Sequence, residues 1–348
     1  MKKLLAAMLV LTMLFCMAAC SSTEKSNGDS LNNFQTTPET QNSQTEEQAP
    51  AQAVTYPTGT IKLVCPWAAG GSTDITARAI ADVASDMLGV PVIVENREGG
   101  GSSIGTQEVA NIRDGDGYTI LVATINGIAV LPHTLELDYS PADFKDVGQV
   151  CERSLALIAS NRSGWTDFAS FVEDAKVNPG KYMIAVPSGG LQHITFERLC
   201  NDAGIDVSIY PVPGDSDAIT SVLSGVADLC MPGSWDAAKG QLDAGEMVAL
   251  GSLSEERIEA LPDVQTMKEQ GYDVSVSAWT ALLLPASTPD DVAAAVEEAF
   301  AQVLQSEALA DMLEKNNQVP TYVAGQAHMP IIQKQYDDFK ATIAGMDF

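Results

Sequence analysis

Short apolar runs alternate with amphipathic stretches of helical spacing along most of the chain, and this alternation limits the possible folds more than any other feature. The apolar runs read IKLVC, PVIVE, YTILVAT, YMIAV, VSIYPV and ADLCM. After the first run, one helical face would carry Ile75, Ala79, Ile80, Val83 and Met87. Such alternation is typical of βα units built on mostly parallel sheets, so the predicted fold class is α/β.

Parallel sheets of this kind bind ligands outside the carboxyl ends of their strands. In this chain those ends are predicted at Pro66, Thr124, Pro187 and Met231. One group of units ends with the run LALIAS at residues 155–160, and SAWTALLLPASTP at residues 277–289 is a second candidate crossing. The alternation therefore predicts two groups of βα units and an almost wholly helical tail from residue 290.

The N-terminus has the pattern of a bacterial secretory leader. Lys2 and Lys3 precede an apolar stretch at residues 4–15, which is too short for a membrane-spanning helix. The following letters CMAAC resemble a lipobox, which would make Cys20 the lipidated first residue of the mature chain. Residues 1–20 are therefore predicted to be a lipoprotein signal peptide.

The segment at residues 21–55 consists mostly of Ser, Thr, Asn, Gln, Glu and Pro. It cannot bury enough apolar surface to offset its ordering entropy, so it is predicted to be a disordered tether. The chain has 46 acidic and 19 basic residues, a formal net charge of −27. This balance excludes nucleic acid as a partner, because nucleic acid needs basic surface. It does not exclude an anionic ligand, since helix ends act locally inside a cleft.

The four cysteines beyond the leader are Cys65, Cys151, Cys200 and Cys230, and each lies in an apolar stretch. A cysteine in such a place behaves as a small hydrophobic residue, so four buried thiols are predicted, with disulfides left open for an exported chain. His133, His193 and His328 are scattered without the spacing of metal ligands, and no metal site is predicted.

The stretch PWAAGGSTD follows the first apolar run and leads into the first predicted helix. Adjacent glycines allow close approach to the backbone, and Ser72, Thr73 and Asp74 are all residues that favour the N-cap position. The free N–H groups of a helix N-terminus can hold an anion. The stretch is therefore either an anion-binding loop or only a tight turn between strand and helix.

Four stretches in this order, YPTGTIKLVCPWAAGGSTDITAR, GVPVIVENREGGGSSIGTQEVA, DGYTILVAT and LPDVQTMKEQGYDVSVSAWTALLLPASTP, resemble the substrate-binding receptors of tripartite tricarboxylate transporters. The resemblance runs from about Tyr56 to the C-terminus. It implies a bilobed α/β fold of the periplasmic-binding-protein type II class, with residues 56–155 and 277–348 in lobe 1, residues 156–276 in lobe 2 and a ligand cleft between them. It implies a monomer without catalytic activity or cofactor. The receptor would be lipid-anchored outside the cell membrane and would deliver a small carboxylate or amino acid to permease subunits.

The resemblance also assigns the cleft residues. The loop after the first strand would hold a ligand carboxylate with Ala68, Ala69, Gly70, Gly71, Ser72, Thr73 and Asp74. A second loop of lobe 1 matches Thr124, Ile125 and Asn126, and the turn before a helix of lobe 2 matches Ser188, Gly189, Gly190, Gln192 and His193.

The chain departs from the family pattern in lobe 2. Gln192 stands where the family usually has serine, and the stretch after IYPV reads PGDSD instead of a lysine–glycine pair. Asp215 and Asp217 near a cleft would repel a multiply charged anion, which favours a monocarboxylate or an amino acid over a citrate-like ligand. Asp74 remains open between capping a helix and pairing with a ligand cation.

An enzyme is the alternative function. Residues 101–105, GSSIG, match the nucleophile pattern G-x-S-x-G of hydrolases, so a secreted hydrolase on a similar α/β architecture would use Ser103. No histidine is placed convincingly for a triad, and the glycines are better explained as a loop that leads into a helix. Trp67, Trp235 and Trp279 flank predicted strand ends and are expected to pack in the core or between lobes.

Overall fold

The computed structural model describes residues 55–346. The predicted signal peptide, the tether up to residue 54 and Cys20 lie outside these residues. Eleven strands occur in the described part: β1 (Ile61–Cys65), β2 (Val92–Asn96), β3 (Thr119–Thr124), β4 (Phe144–Ser154), β5 (Ala156–Ser160), β6 (Met183–Val186), β7 (Ser208–Pro211), β8 (Leu229–Cys230), β9 (Met247–Ser252), β10 (Ser277–Pro285) and β11 (Val319–Ala324).

The same residues contain ten α-helices: α1 (Ser72–Leu88), α2 (Ser103–Ala110), α3 (Leu131–Thr134), α4 (Phe168–Val177), α5 (Leu191–Ala203), α6 (Asp215–Ser224), α7 (Lys239–Asp243), α8 (Asp290–Leu304), α9 (Glu307–Glu314) and α10 (Gly325–Ile343). A π-helical turn, Asn126–Val130, precedes α3. No helix within residues 55–346 combines the length and the apolar character needed to cross a bilayer.

The strands form two sheets. Sheet A has the order β11-β4-β10-β3-β1-β2, and sheet B has the order β7-β6-β8-β5-β9. In each sheet three neighbouring strands are parallel, β2, β1 and β3 in sheet A and β7, β6 and β8 in sheet B, and the next strand runs antiparallel. This arrangement confirms the predicted bilobed α/β fold. We call sheet A with α1–α3 and α8–α10 lobe 1, and sheet B with α4–α7 lobe 2.

The chain crosses between the sheets twice. It passes from β4 to β5 through Leu155 alone, and it returns from β9 to β10 through residues 253–276. The crossing segments are hydrogen-bonded side by side, because Leu253 N–H donates to Leu155 O at 2.9 Å and Val276 N–H donates to Leu253 O at 2.7 Å. The lobes are thus joined by a narrow set of paired backbones.

The buried side chains confirm the predicted thiols and correct the predicted face of α1. All four cysteines of the described residues are free and buried. Burial raises the pKa of the Cys65 and Cys151 thiols to about 11, which keeps them protonated and unreactive. In α1 the prediction for Ile75 and Met87 was wrong, since they are 37% and 47% exposed. The other three residues of the predicted face, Ala79, Ile80 and Val83, are buried, and so is Ala77.

Candidate functional site

The loop after β1 places the N-terminus of α1 at the carboxyl end of the strand. Gly71 is the N-cap residue in an extended conformation, and no side chain caps the helix. Gly70 has φ of 82°, a left-handed conformation that glycine adopts without strain. Ala68, Ala69, Gly70, Gly71 and Ser72 are exposed, whereas Thr73 is buried. The first N–H groups of this seventeen-residue helix are therefore available to an anion.

Asp74 does not cap α1, whose N-cap residue is Gly71, and its carboxylate is bonded within the loop and the helix. Its side chain is 2% exposed. One oxygen accepts the Gly70 N–H at 2.8 Å and the Arg78 Nε at 2.9 Å, and the other accepts from Arg78 and from Asn96. Burial alone would raise the pKa of Asp74, but these hydrogen bonds outweigh it and hold the pKa below its ordinary value. Asp74 is ionised, fully bonded and fixes the shape of the loop.

Arg153 is a residue of this site that the sequence interpretation missed. It lies near the end of β4 and is 7% exposed. One terminal nitrogen donates to Ser72 Oγ at 2.7 Å and stands 3.4 Å from Thr73 Oγ1, and the other donates to Thr280 Oγ1 at 3.2 Å. Arg153 takes part in no ion pair within residues 55–346. The guanidinium thus adds an uncompensated positive charge beside the N-terminus of α1.

Several buried polar atoms at this edge of sheet A have no hydrogen-bond partner among the described residues. They include Arg153 Nε, Thr124 Oγ1 and Ser277 Oγ. Thr124 lies at the end of β3, directly across from Thr280 of β10, which accepts from Arg153. Buried polar groups in folded proteins are almost always hydrogen-bonded. A donor and a hydroxyl without partners at the same edge therefore mark the position of a polar ligand or of water.

The second predicted loop of lobe 1 meets lobe 2. Asn126 Nδ2 donates to Gly101 O at 2.9 Å, and Asn126 Oδ1 accepts the N–H of Leu191 at 2.9 Å. Leu191 is the first residue of α5, whose N-cap is Gly190. The carboxamide of Asn126 thus ties the predicted turn of lobe 2 to lobe 1, and the carboxyl edges of the two sheets face each other.

The predicted turn of lobe 2 has its own local bonds. Gly189 N–H donates to His193 Nδ1 at 2.9 Å, which fixes the orientation of the imidazole in the first turn of α5. Burial lowers the pKa of His193 despite the nearby Glu197, so the ring is neutral near pH 7. Ser188 is exposed, and Ile125 of lobe 1 is buried. Gln192 Nε2 would lie 3.3 Å from a Cβ on Gly233, so it adjoins the loop after β8.

The geometry around Ser103 differs from that of a hydrolase nucleophile. Residues 97–102 separate the end of β2 from Ser103, which begins α2 and is buried, so the sharp elbow of a hydrolase does not form there. His328 pairs with Asp146, and His133 contacts the backbone of Tyr336. Within residues 55–346 no three His, Cys, Asp or Glu side chains are grouped to hold a metal ion. Trp235 and Trp279 are buried as predicted, and Trp67 is half-buried.

A groove of about 860 Å³ lies outside the predicted site, between α5 of lobe 2 and α10 of lobe 1. The crossing segments border it. Of the residues predicted for ligand binding, only Ile125 lines it. Arg153 contributes to both the groove and the edge of sheet A.

The described contacts join part of the predicted set. β1 and β3 are neighbours in sheet A, and Asn126, which follows β3, accepts from the first residue of α5. Ligand binding by these residues stays a prediction. Arg153 could have been suspected from the sequence, because the charged pair Glu152-Arg153 interrupts the apolar run that crosses between the lobes. Arginine is rarely buried unless its side chain has polar partners, so a buried arginine at such a crossing attracts attention.

Most of the chain matches one known protein family. The model of the tripartite tricarboxylate transporter family receptor matches residues 76–347. Protein BugT of Bordetella pertussis is 31% identical over 283 residues, 78% of this chain and 84% of that protein. A UPF0065 protein of the same organism is 30% identical over 288 residues, 82% of this chain and 88% of its own length.

Solved structures are similar over nearly their full length. A structure described as a periplasmic transporter is 30% identical, has a TM-score of 0.74 and aligns over 84% of this chain and 98% of that chain. MatC from Rhodopseudomonas palustris with bound malate is 24% identical, has a TM-score of 0.72 and aligns over 83% of this chain and 100% of that chain. The latter likeness supports the fold alone.

Proposed function

Because the chain belongs to the tripartite tricarboxylate transporter receptor family, we propose that it is an extracytoplasmic lipoprotein that captures a small carboxylate and delivers it to the permease subunits of such a transporter. Receptors of this family are solute-binding proteins. MatC was solved with malate, and a second Rhodopseudomonas palustris protein of similar fold was solved with adipate. Both ligands are small carboxylic acids, which supports the same ligand class for this chain.

The observation that carries the proposal is the buried, uncompensated charge of Arg153 at the N-terminus of α1. A guanidinium offers a planar pair of donors that matches a carboxylate, and hydrogen bonds between charged groups are about twice as strong as neutral ones. The hydroxyls of Ser72 and Thr73 hold the guanidinium at the helix end. A carboxylate bound there would meet Arg153, the helix N–H groups and the Thr124 hydroxyl together.

The test is a binding assay on the predicted mature chain. Thermal shift with L-malate, adipate, benzoate and the common amino acids identifies binders, because a ligand stabilises the folded state by mass action. Calorimetry then compares wild type with Arg153→Met and Arg153→Lys. We expect Arg153→Met to weaken binding by about 100-fold, or about 2.7 kcal/mol, and Arg153→Lys by about tenfold.

Arg113→Met is the matched control, since it removes one exposed positive charge of lobe 1. It should leave the affinity within about twofold, as expected for a distant screened charge. Unchanged affinity in Arg153→Met, with melting temperature preserved, would contradict the proposed anchor. Recovery of the ligand chemically unchanged after incubation distinguishes a receptor from the hydrolase alternative.

Membrane anchoring is tested separately. We expect a Cys20→Ala form to leave the membrane fraction or to accumulate unprocessed, because the thiol of Cys20 would carry the lipid. The measurement is fractionation of cells fed a clickable fatty acid, with Cys16→Ala as the matched control. Labelled, membrane-bound Cys20→Ala protein would exclude Cys20 as the lipidation site.

A further inference from the structure

Asp215 is a second charged group that the sheet topology brings to the cleft. It is the first residue of α6, which follows β7, and β7 runs parallel to β6, which precedes α5. The carboxyl ends of these strands share one edge, the edge at which Leu191 meets Asn126 of lobe 1. A Cβ on Gly233 would lie 3.3 Å from Gln192 Nε2 and 3.4 Å from Asp215 Oδ2. Asp215 therefore adjoins the predicted ligand turn.

The bonds of Asp215 leave half of its carboxylate uncommitted. Oδ1 accepts the N–H of Gly233 at 2.9 Å, which fixes the side chain. Oδ2 has no hydrogen bond, and Asp215 has no ion pair, within residues 55–346. An acidic side chain at the start of a helix can have no role other than stabilising the helix dipole. Here, however, a fixed carboxylate presents a second oxygen for which the described part of the chain offers no donor.

The charges of Arg153 and Asp215 interact electrostatically, although the two side chains form no hydrogen bond with each other. Burial raises the pKa of Asp215, whereas the Gly233 N–H and the positive charge of Arg153 lower it. The two groups are not within ion-pair distance, and neither takes part in an ion pair with any other residue of 55–346. Arg153 is buried and Asp215 is half-buried, so a ligand with one negative and one positive group could bind both charges.

The charge balance of this space selects among carboxylates. Asp74 is compensated by Arg78, and Asp236, whose charge also raises the pKa of Asp215, accepts from the Ser234 hydroxyl. A dicarboxylate on Arg153 would bring a second negative charge toward Asp215. Away from water this charge would be strongly repelled by Asp215, whereas a positive group would be attracted. A zwitterion of zero net charge satisfies both groups.

We propose that the ligand is an amino acid, with its carboxylate held by Arg153 and the N-terminus of α1 and its ammonium group held by Asp215. This inference rests on the proposed receptor function and assigns the ligand class. Closure of lobe 2 onto lobe 1 would bring Asp215 to the ammonium group. Gln192, beside Asp215, can accept a further ammonium hydrogen through its amide oxygen.

The experiment compares each amino acid with the acid that lacks its amino group. The pairs are L-alanine with propionate, L-aspartate with succinate, L-glutamate with glutarate, L-phenylalanine with 3-phenylpropionate, and γ-aminobutyrate with butyrate. We expect at least one amino acid to bind wild type at least tenfold more tightly than its partner. Asp215→Asn keeps an acceptor for the Gly233 N–H. It should weaken the binding of that amino acid at least tenfold and leave the affinity for the deaminated acid unchanged or higher.

Asp202→Asn is the control, because it removes one exposed negative charge from α5 of the same lobe. It should leave both affinities within twofold. Deaminated acids that bind better than the amino acids, with the dependence on Arg153 intact, would overturn the amino-acid assignment and leave the carboxylate receptor standing. If neither series binds, the assignment and the proposed function both fall. An amino acid that binds Asp215→Asn as well as wild type would remove Asp215 from the site.

Discussion

Asp74 shows how one side chain can set the form of the loop after β1. Its carboxylate links Gly70, Arg78 and Asn96, three groups from the loop, the helix and β2. A ligand cation would have to displace Arg78, which forms two hydrogen bonds to the same carboxylate. We therefore expect Asp74 to hold the loop in place and leave direct charge recognition to other residues.

Asp74 also predicts a defined acid sensitivity. Its folded-state pKa lies below the unfolded value, so its contribution to stability is complete above the ordinary pKa of aspartate and is lost as pH falls through the folded-state value. We expect Asp74→Asn to lower the free energy of unfolding by about 1–2 kcal/mol at pH 7. The deficit should shrink between about pH 5 and pH 3. Urea denaturation at several pH values measures it.

The control for this prediction is Asp82→Asn, which changes an exposed acid on the same helix. It should alter the free energy of unfolding by less than about 0.5 kcal/mol. A deficit of Asp74→Asn that stays constant from pH 7 to pH 3 would mean that the ionised carboxylate contributes nothing.

At the scale of elements, α10 is held against β4 by a contact that admits no side chain. A Cβ on Gly325, the first residue of α10, would lie 1.9 Å from the backbone oxygen of Asp146. One helical turn later, His328 Nδ1 lies 2.7 Å from Asp146 Oδ2, and both side chains are buried. Burial raises the pKa of Asp146 even though His328 acts in the opposite direction. Close backbone packing and this buried pair together fix α10.

We expect Gly325→Ala to destabilise the protein by about 2–3 kcal/mol, because the obstructing atom is backbone and cannot rotate away. The measurement is the urea midpoint at constant slope. Gly345→Ala is the matched control near the end of the chain, where the nearest atom to the new Cβ is 3.6 Å away. Equal stability of the two variants would contradict the importance of this contact.

The elements themselves were largely predictable, and their orientation was not. Apolar runs identified β1, β3, β6 and β10, since strands buried on both faces leave a strong signal. Three residues of the predicted face of α1, Ala79, Ile80 and Val83, are buried. Ile75 and Met87 were predicted on the same face but are exposed, because periodicity weights large side chains. The real face packs small residues such as Ala77 close to its neighbours. Which residues pack closely against neighbouring elements depends on the tertiary structure and cannot be predicted from one segment alone.

At the scale of the whole molecule, the paired crossings predict hinge closure. Bilobed proteins close as rigid lobes about a few residues, and here Leu155, Leu253 and Val276 form the hydrogen-bonded connection. We expect solution scattering to show a smaller radius of gyration at ligand saturation than without ligand. Asn126→Ala removes the bond to Leu191, worth about 1 kcal/mol, and should shift the unliganded protein toward the open form.

The control for closure is Asn111→Ala, an exposed asparagine at the end of α2. Its scattering profiles should match those of wild type with and without ligand. Identical wild-type profiles in both conditions would contradict hinge closure about these residues.

The sequence predicted those parts of the candidate site that local backbone geometry forms. It did not predict the side chain that comes from a distant part of the chain. Glycine-rich turns before helices pointed to the loops at Gly70 and Gly189, because helix starts have local signatures. Arg153 donates to Ser72, which lies far away in sequence, and only the assembly of sheet A brings the two residues together. Long-range pairing of this kind leaves no periodic mark in the chain.

The interleaving of the sheets has a consequence for how the chain reaches this form. Sheet B is complete once residue 252 has been made, whereas β10, which lies between β3 and β4 in sheet A, comes only after residue 276. Until then β3 and β4 expose edges that can pair with other chains. Lobe 1 therefore begins first and finishes last. A chain truncated before β10 should have a folded lobe 2 and an incomplete sheet A that aggregates. Chaperones that shield exposed strands would therefore matter most before β10 has been synthesised.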